Sequence, residues 1–116
     1  MKIYIAGKIT GEDRAACKAK FAEAENRIRE LGAVPITPFK LGIPEHFTFA
    51  ESKPFNFKAI AKCHAIFMLA DYTSSPGALD ELDEAQRLKR EIFYEQFEGY
   101  EALEDAIRLG IISPGY

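Results

Sequence analysis

Glu81 stands apart from the acids around it in the stretch Ser74-Ser75-Pro76-Gly77-Ala78-Leu79-Asp80-Glu81-Leu82-Asp83-Glu84-Ala85. A helix from about Pro76, turning roughly 100° per residue, puts Ala78, Leu82, Ala85 and Lys89 on one side, with Leu79 and Leu88 at its edges. Asp80, Asp83, Glu84, Arg87 and Arg90 fall on the other side. Glu81 instead projects between Ala85 and Leu88, on the margin of the apolar stripe. A carboxylate that points inward needs either a partner or a catalytic task. Ser75 can cap this helix, and Pro76 suits its first position because the missing N–H has no intrahelical acceptor there. Gly77 is expected to leave the backbone bare in the first turn, where free N–H groups could receive a phosphate or a sugar about one and a half turns from Glu81. The alternative is a capped amphipathic helix whose Glu81 is salt-bridged or half exposed.

The elements that must position Glu81 alternate between strand and helix patterns. Lys2 to Ala6 is rich in β-formers and leads into the turn-like Gly7-Lys8-Ile9-Thr10-Gly11. From Asp13 to Leu31 the apolar residues Cys17, Phe21, Ala24, Ile28 and Leu31 follow a helical repeat, and Gly32 is a left-handed stop. Ala33 to Thr37 reads as a second strand, with Pro35 favouring an edge or the strand's start. A shorter helix is expected around Asn56 to Cys63. His64 to Ala70 is a near-continuous apolar run, as in a strand buried on both faces. Glu91 to Glu95 and a helix near Tyr100 to Leu109 complete the series. Strands separated by helices imply right-handed crossovers and a parallel sheet covered on both sides, so the expected fold is a single doubly wound, flavodoxin- or Rossmann-like α/β domain over residues 1–116.

In such sheets ligands bind beyond the carboxyl ends of the strands, where the strand order reverses. The loop 7–11 and the loop 71–77 then share one rim, with Glu81 one helical turn below it. The first loop is neither a dinucleotide fingerprint nor a P-loop, so it is a weak phosphate signal beside the alternative of an ordinary turn. Composition narrows the rest. The 116 residues, 47% of them hydrophobic, suffice to bury a core without disulfides or metal, and a net charge of −3 argues against long nucleic acid while leaving a small anionic ligand open. Cys17 and Cys63 lie far apart, as in a reduced cytoplasmic protein. Met1 leads directly into a strand, so no signal peptide is expected, and no apolar run approaches membrane-spanning length.

The residues Tyr4-Ile5-Ala6-Gly7-Lys8-Ile9-Thr10-Gly11, followed by a helix and then an aliphatic strand ending in Ser75-x-Gly77-x-x-x-Glu81-x-x-x-Ala85, resemble the nucleoside 2-deoxyribosyltransferase-like superfamily. The resemblance covers roughly residues 1–95 and extends to small bacterial and phage members of unassigned function and to the 2′-deoxynucleoside 5′-phosphate N-hydrolases. It implies that Glu81 attacks the anomeric carbon of a deoxyribose and that Tyr4 orients the reacting groups. It implies too that Gly7, Lys8, Ile9, Thr10, Gly11, Ser75 and Gly77 surround the sugar and its 5′ group. An oxocarbenium-like state can be stabilised or trapped by such a carboxylate, with water or a second base as acceptor. Self-association as a homodimer or larger assembly is likewise implied.

Two positions depart from the superfamily. Asn56 stands where many members carry an aspartate that helps bind sugar and base, and Cys63-His64 stands where many read Cys-Asp. Asn56 can still hydrogen-bond a hydroxyl, and Asp71 could substitute as a carboxylate or simply form a turn. His46 is remote from Cys63 and His64, so no metal site is expected and no cofactor is called for. The phenylalanines between Pro38 and Phe57 sit in a stretch long for a simple connection; they could stack on a nucleobase, form a satellite cluster or meet another subunit. Asp83 and Arg87 are placed as an i,i+4 pair. The expected activity is N-glycosidic cleavage or transfer on 2′-deoxynucleosides or their 5′-monophosphates; the alternative is a non-catalytic nucleotide-binding module.

Overall fold

The computed structural model describes residues 1–110, in which strand and helix alternate along the chain. β1 (Lys2–Ala6), β2 (Val34–Ile36), β3 (Ala65–Met68) and β4 (Glu91–Tyr94) form one parallel sheet in the order β2-β1-β3-β4. Between and after them run α1 (Arg14–Glu30), α2 (Phe49–Ala61), α3 (Pro76–Arg87) and α4 (Gly99–Leu109). The sequence expectation for Gly115 and Tyr116, either disorder or packing against a partner, falls outside the described residues.

The period-2 alternation of the central strands sorts the helices into two layers. Ile3, Ile5, Ala65 and Phe67 point to one face, where Cys17, Phe21, Ala24 and Ile28 of α1 meet Tyr100, Leu103 and Ala106 of α4. Tyr4, Ala6, Ile66 and Met68 point to the other, against Ile60 of α2 and Ala78, Leu82 and Ala85 of α3. Both central strands are therefore buried on both faces, which is why their sequences are apolar throughout. The doubly wound α/β fold is the one expected. Its strand order reverses between β1 and β3, which places the loops after those two strands side by side.

Local signals explain most boundaries. Asp13 caps α1 by accepting from the Ala16 N–H at 2.9 Å, and the helix ends before Gly32 at φ +95°. β2 is an edge strand, so Pro35 deprives no inner ladder of a donor. Three expectations are corrected. α2 starts at Phe49 rather than near Asn56, because Thr48 and Glu51 form a capping box, with Thr48 Oγ1 accepting from Glu51 N at 3.2 Å and Glu51 Oε1 from Thr48 N at 3.0 Å. The helix runs through Pro54, whose ring removes one interior donor without ending it. Lys89 lies beyond the end of α3 at φ 59°, not on its apolar side. Arg87 pairs with Glu84, not Asp83, through two bonds of 2.8 and 2.7 Å, since the i,i+3 carboxylate meets both edges of the guanidinium. Among the described residues no helix is long and apolar enough to cross a membrane, and Cys17 and Cys63 are buried free thiols.

Candidate active site

The third residue of β1 and the sixth of α3 meet at the centre of the site. Tyr4 is fully buried and its hydroxyl donates to Glu81 Oε2 at 2.7 Å across 77 positions of sequence. Glu81 is 4% exposed. Tyr4 points to the α2/α3 layer because it alternates with Ile3 and Ile5, and Glu81 points at the sheet because it flanks Ala78, Leu82 and Ala85 on the buried side of α3. Burial dominates the electrostatics and raises the Glu81 carboxyl to about 8; hydrogen bonds from Tyr4 and Asn56 pull the other way, and Asp80 adds a smaller upward push. The same burial, with the Glu81 charge next to it, holds the Tyr4 hydroxyl well above the usual phenol range. At neutral pH this burial favours the protonated form of the Glu81 carboxyl.

Beside Glu81 lies a cleft of about 30 Å³ lined by Gly7, Ile9, Thr10, Phe49, Asn56, Ser75, Gly77 and Ala78. That is room for one or two waters. Ser75 Oγ accepts from the Ala78 N–H at 3.1 Å, capping α3, and its hydroxyl proton remains for a ligand oxygen. Asn56 lines the cleft, is 4% exposed, and has an Oδ1 with no hydrogen-bond partner among the described residues. Gly7 is required by close packing, because a Cβ there would lie 2.8 Å from Leu69 Cδ1. The first turn of α3 is not bare, contrary to expectation: a Cβ on Gly77 would lie 3.0 Å from Phe49 Cδ1, so the ring of Phe49 lies against that backbone.

The structure thus brings Tyr4, Glu81, Asn56, Ser75, Gly77, Gly7, Ile9 and Thr10 together and leaves three expected residues out. Asp71 lies on the far side of the loop, where its Oδ1 accepts from Lys8 N at 3.0 Å and its Oδ2 is ion-paired with Lys20. Lys20 Nζ also donates to Lys8 O at 2.9 Å. Both polar groups of the Lys8 backbone are tied from outside, so Lys8 and Asp71 anchor the loop rather than line the cleft. Gly11 is exposed at φ +83° and shapes the turn.

A wider pocket of about 120 Å³ adjoins the cleft and shares Ile9, Thr10, Phe49 and Asn56 with it. Its outer walls are Pro38, Phe39, Ile43, Pro44 and Phe47, with Arg14, Glu45 and Ser52 as polar members. Phe39, Phe47 and Phe49 belong to the phenylalanine-rich stretch marked in the sequence, whereas Arg14 and Glu45 were not singled out and the contact of Phe49 with α3 was not foreseen. The available signal was the capping box at Thr48, which starts α2 at Phe49 and aims that residue at α3.

Several solved structures share this architecture. A 2-desoxiribosyltransferase from Leishmania mexicana superposes with a TM-score of 0.62 at 20% identity, covering 80% of this chain and 62% of that one. This chain accordingly spans about three-fifths of the length of the Leishmania protein. The 2-deoxyribosyltransferase of the psychrotolerant bacterium Bacillus psychrosaccharolyticus gives 0.57 at 24% identity, over 81% of this chain and 71% of that one. The CMP N-glycosidase of Clostridium botulinum gives 0.58 at 12% identity, over 96% and 99%. The fold is therefore nucleoside 2-deoxyribosyltransferase-like. A comparison with curated protein sequences finds no match. Residues 1–94, which carry β1, the cleft and α3, match one sequence family, and the chain belongs to it: the domain of unknown function DUF4406.

Proposed function

We propose that this protein cleaves or transfers the N-glycosidic bond of 2′-deoxynucleosides or their 5′-monophosphates, with Glu81 as nucleophile and Tyr4 as its positioning partner. The observation that carries the reading is the buried 2.7 Å bond from Tyr4 to Glu81 Oε2 at the wall of a cleft beneath the start of α3. With Oε2 held by Tyr4, Oε1 is the oxygen left to bond C1′. As that bond forms, the C1′–N bond breaks and its electron pair leaves with the base, which takes a proton from water. Water or a second base then displaces Glu81 from C1′ and restores the carboxylate. Asn56 Oδ1 accepts from a sugar hydroxyl, and Ser75 donates to the 5′ oxygen or its phosphate near the positive end of α3. The reading includes one domain over residues 1–116, self-association and a cytoplasmic location; the two buried free thiols support the last.

A second reading, a non-catalytic nucleotide-binding module, is favoured by the proton on Glu81 at neutral pH and by Asn56, which is not a carboxylate. Chromatography of free base after incubation with a panel of 2′-deoxynucleosides and their 5′-monophosphates separates the two. Release that disappears in Glu81→Ala supports the enzyme. Ligand binding without release from any substrate refutes it and leaves the binding module.

A further inference from the structure

We infer that the outer pocket seats the nucleobase and that the Arg14–Glu45 pair at its rim reads the hydrogen-bonding edge of that base. The inference rests on the N-glycosidic reading, since it assigns the part of the ligand that Glu81 does not touch. The two spaces adjoin along Ile9, Thr10, Phe49 and Asn56, so a ligand with its anomeric carbon at Glu81 has this pocket immediately beside it.

The chemistry of the pocket suits a flat heterocycle better than a phosphate. Phe39 is fixed edge-on to Phe21 at 5.2 Å, and the Arg14 guanidinium lies over its ring at 5.3 Å. Aromatic and proline walls offer stacking surface, which every base can use. At the rim Arg14 Nε donates to Glu45 Oε1 at 3.0 Å, and Lys18 Nζ reaches the same oxygen at 3.5 Å. Among the described residues, both contacts fall on Oε1, which leaves Oε2 as an acceptor and the two terminal nitrogens of Arg14 as donors. A donor beside an acceptor is complementary to a heterocycle edge carrying both a ring or carbonyl acceptor and an N–H donor. A phosphate in this place would face the Glu45 carboxylate, whereas the Ser75 end of the cleft presents donors and a helix N-terminus. The rim pair is also free to change partners: its side chains are 45% and 68% exposed, and ion pairs so exposed contribute little to stability.

The test compares nucleotide with the same sugar phosphate lacking a base, in a Glu81→Gln background that blocks turnover. Calorimetric titration with each 2′-deoxynucleoside 5′-monophosphate and with 2-deoxyribose 5-phosphate isolates the contribution of the base. At least one nucleotide is expected to bind more tightly than the sugar phosphate. Adding Arg14→Met or Glu45→Gln should weaken that nucleotide about tenfold and leave the sugar phosphate within about twofold, as for a charge-assisted hydrogen bond at a partly open site. Equal affinity for nucleotide and sugar phosphate, no effect of either substitution, or an equal loss for both ligands in Arg14→Met overturns the assignment. Base-dependent binding with no base release by the wild-type chain would refute the glycosidic reading alone.

Discussion

Replacing Glu81 by glutamine should stabilise the protein, and by an amount that grows with pH. The carboxyl is raised from an ordinary 4.5 to about 8 in the folded chain, so folding holds a proton that the unfolded chain releases. For a group shifted in this direction the stabilising contribution is full below 4.5 and is lost as pH rises through 8. At about 1.4 kcal/mol per pH unit, the interval from 4.5 to about 8 comes to about 5 kcal/mol, a large part of the 5–15 kcal/mol that holds a typical domain together. Glutamine mimics the protonated acid and titrates nowhere in this range, so Glu81→Gln escapes that loss. Urea unfolding of both proteins at pH 5, 6, 7 and 8 reads the difference, in which every other ionisable group cancels. The variant should gain on the wild type by about 1 kcal/mol or more with each step, reaching about 4 kcal/mol between pH 5 and 8, and the gap should level off above pH 9. Stability curves that stay parallel across this range would refute the claim that Glu81 is held protonated by burial.

On the proposed reading Glu81 must be ionised to attack, so kcat/KM should climb with pH through about 8, and Tyr4→Phe, which removes a bond to the charged form, should move that limb to higher pH and lower the rate at pH 7 about tenfold or more; an unmoved profile would separate Tyr4 from the carboxyl's titration. Gly7→Ala places a methyl 2.8 Å from Leu69 Cδ1 and 3.0 Å from its Cβ, and should cost about 1–3 kcal/mol in urea unfolding. Lys20→Met frees the Lys8 carbonyl and unpairs Asp71 outside the cleft, so it should raise KM several-fold with kcat within about twofold, and Lys20→Arg should restore much of the loss; a fall in kcat alone would count against a loop-anchoring role.

What the sequence made legible follows the range of the interactions involved. The inward bearing of Glu81 could be read because helical periodicity is local, and so could the Ser75 cap and the edge position of Pro35. The hydrogen bond to Tyr4 could not be reached by spacing, because it depends on how β1 lies beneath α3, 77 residues away; resemblance alone pointed there. Read from sequence, α2 begins near Asn56, yet the capping box starts it at Phe49, and the packing of Asn56 and Ile60 carries it through Pro54 despite one missing donor. The late start assigned to α2 hid the way Phe49 covers Gly77. Asp71 was drawn to the cleft by its place at the end of β3, but the short 3-10 helix Ala70–Ser74 that contains it aims it at Lys8 and Lys20 instead. Arg14 and Glu45 are joined across 31 positions, by a loop whose path no local pattern specifies.

The burial that makes the Glu81 charge costly is also what suits it to the proposed chemistry. A carboxylate in water is already satisfied, and its attraction to a developing cation is screened; in a cleft with room for one or two waters the same attraction is many times stronger. That gain exists only when positive charge appears at C1′, so it stabilises the transition state more than the bound substrate, which is the condition for raising the rate. An adjacent cation lowers a carboxyl's pKa by about 1–3 units, enough to bring one raised to about 8 back toward neutrality as the bond breaks. Tyr4 and Asn56 then set the balance: their hydrogen bonds keep Glu81 close enough to ionisation to react, and burial keeps its charge unsatisfied until there is something to react with.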